Sequence, residues 1–207
     1  MIHELSVQLV SAWRNTSVIE LAAVFLAVAY LLLAIRQLLS CWSAAFVSSC
    51  LYVWVFFDAR LYMESVLNAF YAAMALYGFW QWRHGQGGAA RSVTRWPIAR
   101  HAGGLLAILA LSMISSFFLR RFTPAAWPFV DSMVAWSSVF ATFLVARKVY
   151  ENWHWWLIID SVSLCLYLTR HLYATALLFA LYLVLILVGM REWRRSLPAM
   201  MYATERP

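Results

Sequence analysis

The segment Gly78-x-x-x-Trp82-Arg83 recurs 111 residues later as Gly189-x-x-x-Trp193-Arg194. Leu and Ala coincidences are common in an apolar sequence, whereas Trp, Arg, Gly and Tyr rarely coincide in one ungapped register. The match therefore indicates an internal duplication. The same register also pairs Arg36 with Arg147, Trp42 with Trp153, Leu61-Tyr62 with Leu172-Tyr173, Tyr71 with Tyr182, and Glu20 with Asp131.

The duplicated units are built from apolar stretches close to membrane-spanning length. Of 207 residues, 64% are hydrophobic and 12% are charged, and a soluble domain has roughly twice that charged share. Because these stretches do not alternate polar and apolar residues, they predict helices rather than barrel strands. The predicted fold is an all-α membrane protein with seven transmembrane helices, at about 18–35, 41–57, 61–82, 103–119, 127–146, 153–169 and 172–190.

Three helices precede and three follow a lone central helix, which predicts a 3+1+3 arrangement. Since the copies begin four crossings apart, they run in the same direction and are related by an axis along the membrane normal. The SWEET sugar transporters have this kind of symmetry, and in such folds the solute site lies near the midplane between the repeats. The predicted division is an N-terminal segment (1–17), a first repeat (18–83), a cytoplasmic loop with the linker helix (84–126), a second repeat (127–195) and a C-terminal tail (196–207).

The basic residues predict the orientation. With loop 83–102 inside, eleven basic residues lie in the cytoplasm and five outside, which places the N-terminus out and the C-terminus in. Trp82, Arg83, Trp193 and Arg194 are predicted to anchor helix ends at headgroup depth. The inside set is Arg36, Arg83, Arg91, Arg95, Arg100, Arg147, Lys148, Arg191, Arg194, Arg195 and Arg206, and the outside set is Arg14, Arg60, Arg120, Arg121 and Arg170.

Ionisable groups inside a membrane are functional candidates, and Asp160 is the first of them. It lies seven residues into the sixth predicted helix, about 10 Å from the inner surface at 1.5 Å per residue. Trp153 and Trp156 precede it on the same helical face. Two rings and a carboxylate on one stripe can bind a flat cationic ring. An interfacial tryptophan cluster with a structural Asp is the equally weighted alternative.

A second polar group is predicted on the third helix, where Asn68 and Tyr71 lie three residues apart. Glu64 lies one turn from Asn68. These groups suit a ribose or another alcohol, although an interhelical hydrogen bond explains Asn68 and Tyr71 equally well.

Several function classes are excluded by what the sequence lacks. Cys41, Cys50 and Cys165 lie in apolar segments without a metal-ligand spacing, so neither a disulfide framework nor a zinc site is predicted. The sole lysine, Lys148, lies outside the late helices, where a retinal protein needs its Schiff base, and no Gly-x-Ser-x-Gly protease motif is present. The net charge of +7 follows from loop arginines and does not predict nucleic-acid binding. We therefore expect no enzyme, cofactor or metal, and a small-solute transporter, with a channel or membrane scaffold as the other class.

The run Arg147-Lys148-x-x-Glu151-Asn152-Trp153-x-x-Trp156 resembles the R-K-x-x-E-N-W-x-x-W segment of PnuC-type nicotinamide riboside transporters. Asn68-x-x-Tyr71 with Gly78-x-x-x-Trp82, and Gly189-x-x-x-Trp193, resemble the ends of helices in that family. The resemblance covers about 18–195 and adds Asn152 to the predicted substrate-binding residues, which are Trp153, Trp156, Asp160, Asn68, Tyr71, Asn152 and Glu64.

The resemblance implies a full-length SWEET-like fold in the bacterial inner membrane. It also implies a homotrimer, and facilitated diffusion of nicotinamide riboside with trapping by a cytoplasmic kinase. Relatives in that family move thiamine, which also carries a cationic ring and a hydroxyl group. Thiamine is therefore the alternative substrate.

Overall fold

The computed structural model describes residues 18–58, 62–85, 91–122, 127–169 and 173–197. Segment 1–17, Leu61, Leu172 and most of the predicted tail lie outside the described residues. Seven helices account for most of the described chain, which confirms the predicted all-α class and helix number. They are α1 (Val18–Ile35), α2 (Ser40–Asp58), α3 (Tyr62–Arg83), α4 (Ile98–Phe122), α5 (Pro128–Ala146), α6 (Asn152–Thr169) and α7 (Tyr173–Arg195).

The helices pack in the predicted 3+1+3 order. In the first repeat α2 packs against both α1 and α3, and in the second repeat α6 packs against both α5 and α7. Helix α4 packs along α5, and its His101 also contacts Trp155 of α6. The repeats meet through two equivalent pairs, α3 with α5 and α1 with α7. Each repeat therefore uses the same two helices to contact the other.

The turn after the first helix of each repeat has the same backbone geometry. Gln37, between α1 and α2, has a φ of 56°, and Lys148, between α5 and α6, has a φ of 50°. Positive φ is uncommon for residues other than glycine, and within the described chain only these two non-glycine residues have it. Because they lie 111 residues apart, the two repeats make the same tight turn.

Tryptophans join the two repeats at the end of the bundle that carries these turns. The Trp82 Nε1 donates to the carbonyl oxygen of Val145 at 3.1 Å, and the Trp193 Nε1 donates to that of Ala34 at 3.0 Å. These bonds are equivalent in the repeat register, so the repeats exchange one hydrogen bond each. The two indoles also contact each other, with ring centroids 6.0 Å apart.

The predicted anchoring role of Trp82 and Trp193 is wrong, because their side chains are 3% and 0% exposed. They are the centre of the inter-repeat core rather than headgroup anchors. Each is packed edge to face against a second indole, Trp82 against Trp42 and Trp193 against Trp153, with centroids 5.4 Å apart in both pairs. Arg83 and Arg194, which follow them, are exposed.

A short extended segment crosses this end of the bundle. Residues 91–97, here called the strap, precede α4 and pair with the turn between α5 and α6. The Thr94 N–H donates to the Lys148 carbonyl at 2.9 Å, and the Tyr150 N–H donates to the Thr94 carbonyl at 2.8 Å. Val93 of the strap is buried in the inter-repeat core. Helix α4 begins at Ile98, five residues earlier than predicted, directly after the strap.

Five of the described helices, α1, α2, α4, α5 and α7, are long and apolar enough to cross a membrane. Helices α3 and α6 have spanning length but contain more polar and aromatic residues. The two least apolar helices are those on which the predicted substrate-binding residues lie. The chain is a multi-pass membrane protein.

Candidate functional site

Two neighbouring cavities lie between the repeats. The larger has a volume of about 370 Å³ and is lined mainly by α1, α5, α6 and α7. The smaller has a volume of about 190 Å³ and is lined mainly by α1, α2 and α3. The side chains of Ala27, Tyr30, Tyr71 and Trp156 line both cavities, so these four residues form the boundary between them.

The cavities are equivalent in the 111-residue register but differ in chemistry. The larger cavity has a carboxylate, Asp160, where the smaller one has Ser49, and a ring, Phe179, where the smaller one has Asn68, but aromatic rings line both cavities. A solute that extends through both would therefore meet the Asp160 carboxylate in one cavity and the Asn68 amide in the other, with aromatic rings in each. The equivalent lining pairs are Trp42 and Trp153, Ala45 and Trp156, Ser49 and Asp160, Tyr52 and Ser163, Asn68 and Phe179, and Tyr71 and Tyr182.

The predicted stripe on α6 lies along the larger cavity. Trp153, Trp156 and Asp160 all line it, as their shared helical face requires. Trp153 is wedged against Gly189, because a Cβ at that glycine would overlap the indole ring. The stripe therefore has one ring fixed by packing and one ring, Trp156, placed between the two cavities.

Asp160 is 5% exposed and lines the larger cavity. Within the described part of the chain, no Arg, Lys or His forms an ion pair with it. Ser163 and the phenol-bearing residues Tyr167 and Tyr182 line the same cavity. A buried carboxylate without a cationic partner is costly, and a cation bound in this cavity would lower that cost.

Asn152 begins α6 and is fully buried. Its side-chain Nδ2 donates to the Val149 carbonyl at 2.6 Å, which ties the helix start to the preceding turn. Its Oδ1 is buried and has no hydrogen-bond partner among the described residues. Since Asn152 lines the larger cavity, this oxygen is an acceptor available to an amide or hydroxyl donor.

Asn68 and Tyr71 line the smaller cavity, and Tyr71 also reaches the larger one. Both side chains belong to α3, so the structure brings them opposite the α6 stripe. Glu64 is in the same helix, but its side chain lies outside the described residues. Six of the seven predicted residues thus meet at one pair of cavities.

Several lining residues were not predicted. Tyr30 borders both cavities, and Thr142, Ser48 and Ser49 line the smaller one. Trp42 also lines the smaller cavity. Its buried Nε1 has no partner within the described chain, and neither does that of Trp153, its equivalent. The repeat register pointed to Trp42, whereas nothing in the local sequence marks Tyr30, Ser48, Ser49 or Thr142.

Glu151 directly precedes α6 and contacts both the strap and the start of α4. Its Oε2 accepts from the Trp96 backbone N–H at 3.1 Å, and its Oε1 lies 3.5 Å from the Arg95 Nε. The His101 Nε2 lies 3.8 Å from Oε2. These contacts fix the strap and the start of α4 beneath α6. Among the described residues, no group of His, Cys, Asp and Glu could hold a metal ion.

Known proteins resemble this chain over most of its length. Residues 17–195 match the sequence model of a family described as nicotinamide mononucleotide transporters. The nicotinamide riboside transporter PnuC of Escherichia coli strain K12 is 27% identical over 168 residues, which are 69% of this chain and 70% of that protein. The riboflavin/roseoflavin transporter RibM of Streptomyces davaonensis is 28% identical over 167 residues, 79% of this chain and 78% of that protein.

A solved structure has the same fold. The crystal structure of the vitamin B3 transporter PnuC superposes with a TM-score of 0.69 at 19% identity, covering 94% of this chain and 88% of that one. At that level of identity the comparison concerns the fold, and it agrees with the helix order found here. The proteins named by these matches are transporters rather than enzymes.

Proposed function

This chain belongs to the nicotinamide mononucleotide transporter family, and from that premise we propose that it moves nicotinamide riboside across the bacterial inner membrane. The transport is facilitated diffusion, and a cytoplasmic kinase traps the solute by phosphorylating it. The substrate-binding residues are Trp153, Trp156, Asp160 and Asn152 on one side, and Asn68 and Tyr71 on the other. Glu64 is proposed with this second group from its sequence position. By the family resemblance, the protein is a homotrimer with a SWEET-like fold.

The observation that carries the proposal is that Asp160, which has no cationic partner in the described chain, lines the larger cavity beside Trp156. Nicotinamide riboside has a permanently positive aromatic ring, which can stack on the indole face and pair with the carboxylate. Its ribose would then reach the smaller cavity, where Asn68 and hydroxyl side chains offer hydrogen bonds. Each half of the solute therefore meets a cavity of matching chemistry.

Thiamine is the second candidate because it also combines a cationic ring with a hydroxyl group. The same α6 stripe favours either solute over a neutral one. The similarity to a riboflavin/roseoflavin transporter adds riboflavin as a comparison solute, but its ring is neutral and leaves Asp160 without a cationic partner. Asp160 is thus the residue proposed to discriminate between the two charge classes.

The exchanged tryptophan bonds suggest how the solute path opens. Trp82 and Trp193 join the repeats at the strap end, and this end is proposed to face the cytoplasm. Release toward the strap end requires the two repeats to separate there, which would break both bonds. Rocking of one repeat against the other around a fixed midplane site is the motion expected of such folds.

A uniport mechanism predicts equilibration rather than accumulation. Asp160 is the one buried carboxylate in the described chain, so no series of buried carboxylates forms a proton relay there. Purified protein in kinase-free liposomes should bring labelled nicotinamide riboside to equal concentrations inside and outside. A protonophore should leave the rate unchanged. Concentrative uptake that a protonophore abolishes would contradict uniport without contradicting transport.

The charge distribution predicts the topology of the chain. The eleven basic residues placed inside against five outside put the strap and the C-terminus in the cytoplasm. Alkaline phosphatase fused after Arg195 should be inactive, because it folds only in the periplasm, whereas a green fluorescent protein fusion at the same point should fluoresce. An active phosphatase fusion would overturn the orientation.

A further inference from the structure

Three basic side chains meet at the strap end, between α3, the strap and the turn that joins α5 to α6. Arg91 of the strap donates from Nε to the Arg147 carbonyl at 2.7 Å and from Nη1 to the Gln81 Oε1 at 2.8 Å. Lys148 follows Arg147 in the chain, and its Nζ lies 4.4 Å from the centroid of the Trp82 ring. Three positive charges therefore share one small, partly buried region.

No acidic group in the described chain neutralises this cluster. Glu151, the nearest carboxylate in sequence, pairs with Arg95 and His101 instead. The Arg147 guanidinium lies 5.2 Å from the Phe143 ring centroid, and its buried Nε has no hydrogen-bond partner among the described residues. The Arg147 Nε–H is thus a donor of the cluster that no acceptor in the described chain uses.

Burial disfavours the charges of Arg91 and Lys148. Burial lowers the pKa of the Arg91 guanidinium, and the neighbouring Arg147 charge lowers it further. Burial likewise lowers the pKa of the Lys148 ammonium, and Arg91 adds to that decrease. Lys148 is only 7% exposed. The general excess of basic residues in cytoplasmic loops explains exposed arginines such as Arg83 but not a partly buried cluster that no acidic group of the described chain neutralises.

We propose that Arg91, Arg147 and Lys148 form a binding site for a phosphate group. Guanidinium groups offer planar, paired donors to phosphate oxygens, and an ammonium adds a compact point charge. A bound phosphate would supply the missing negative charge and accept from the unused donors. This site is distinct from the two cavities, since none of the three residues lines either one, and it does not depend on which solute is transported.

Two sources could provide that phosphate at the cytoplasmic surface, a phosphorylated soluble compound or a lipid headgroup. The probes are ribose 5-phosphate, which lacks the cationic ring, and phosphatidylglycerol replacing part of the phosphatidylcholine in nanodiscs. The full-length protein is purified into phosphatidylcholine nanodiscs, and its thermal unfolding midpoint is followed as each probe is added. We expect a saturable rise in the midpoint with one of the two probes.

Lys148→Gln is the main test variant, because the equivalent residue Gln37 has the same backbone conformation with φ 56°. We expect it to weaken the response about tenfold, the effect of losing one charge-assisted contact. Arg147→Gln should do the same, and the exposed Arg83→Gln is the control that should respond as wild type. If the variants lose only the response to ribose 5-phosphate, the ligand is a soluble phosphate ester. If they lose only the response to phosphatidylglycerol, the ligand is a lipid headgroup.

Either result supports the phosphate site. Equal responses in wild type, Lys148→Gln and Arg83→Gln would overturn it, and so would a wild-type protein that responds to neither probe. Monodisperse elution of each variant on size exclusion separates these results from misfolding.

Discussion

Gly189→Ala should leave little folded protein in the membrane. A Cβ at Gly189 would overlap the Trp153 ring, which also packs edge to face against Trp193, one turn further along the same helix as Gly189. Trp193 is in turn fixed by its hydrogen bond to the Ala34 carbonyl. Overpacking of this kind typically costs about 1–3 kcal/mol, and more where the neighbours are rigid, so we expect about 3 kcal/mol or more.

Gly103→Ala is the matched control, since a Cβ there meets no atom within 4 Å. Alanine is favoured over glycine inside a helix by about 1 kcal/mol, so this variant should be as stable as wild type or slightly more so. Gly78→Ala should fail like Gly189→Ala, because its Cβ would overlap Trp42. The measurement is the yield of monodisperse protein and its thermal unfolding midpoint. A well-folded Gly189→Ala protein would contradict the tryptophan core.

Trp156→Ala should lower the affinity for nicotinamide riboside by about thirtyfold. Trp156 lines both cavities, and a desolvated cation–π contact is worth about 2 kcal/mol or more, at about 1.4 kcal/mol per factor of ten. Trp156→Phe should cost less, because phenylalanine keeps a weaker ring face. The measurement is calorimetric titration of purified protein.

Trp54→Ala is the control for this prediction. Trp54 lies on α2 with 64% of its side chain exposed and lines neither cavity, so its loss should leave the affinity unchanged. If Trp156 is only a structural residue, Trp156→Ala would lower the yield, and the protein that survives would bind normally. Monodisperse Trp156→Ala with wild-type affinity would therefore exclude it from the site and leave the fold unaffected.

The sequence predicted the helices and repeats well because both are encoded in local patterns. Stretches of spanning length with many apolar residues indicated all seven helices, including the more polar α3 and α6, and the 111-residue register links residues as distant as Trp42 and Trp153. The fourth helix was predicted to begin at residue 103, whereas α4 begins at Ile98, and this difference also has a local cause. Residues 98–102 include Arg100 and His101, so a search for apolar residues begins after them.

The role of Trp82 and Trp193 could not be predicted from the local sequence. A tryptophan followed by arginine at a helix end is typical of a headgroup anchor. Whether that ring faces lipid or the other repeat depends on contacts such as Trp82 with Val145, which join residues far apart in the chain. The strap was missed for a related reason, since Thr94 pairs with Val149 through backbone groups that leave no side-chain pattern.

The part of the candidate site that the sequence predicted best is the part whose residues share one face of a helix. Trp153, Trp156 and Asp160 follow the 3–4 spacing of a helix, so their meeting at one cavity follows from α6 alone. The smaller cavity has no such signature, because Ser48, Ser49 and Thr142 are common residues in membrane helices. Their position beside Asn68 results from how α2, α3 and α5 pack.

Competition for uptake tests whether the protein selects a cationic riboside over a neutral solute. Liposomes containing the purified protein are given labelled nicotinamide riboside with an excess of unlabelled riboside, thiamine or riboflavin. The proposed cation site at Asp160 predicts that unlabelled riboside competes best, thiamine less well and neutral riboflavin least. It also predicts that Asp160→Asn slows riboside uptake by at least about tenfold, through loss of a charged partner. Uptake that riboflavin blocks best and that Asp160→Asn leaves unchanged would contradict it.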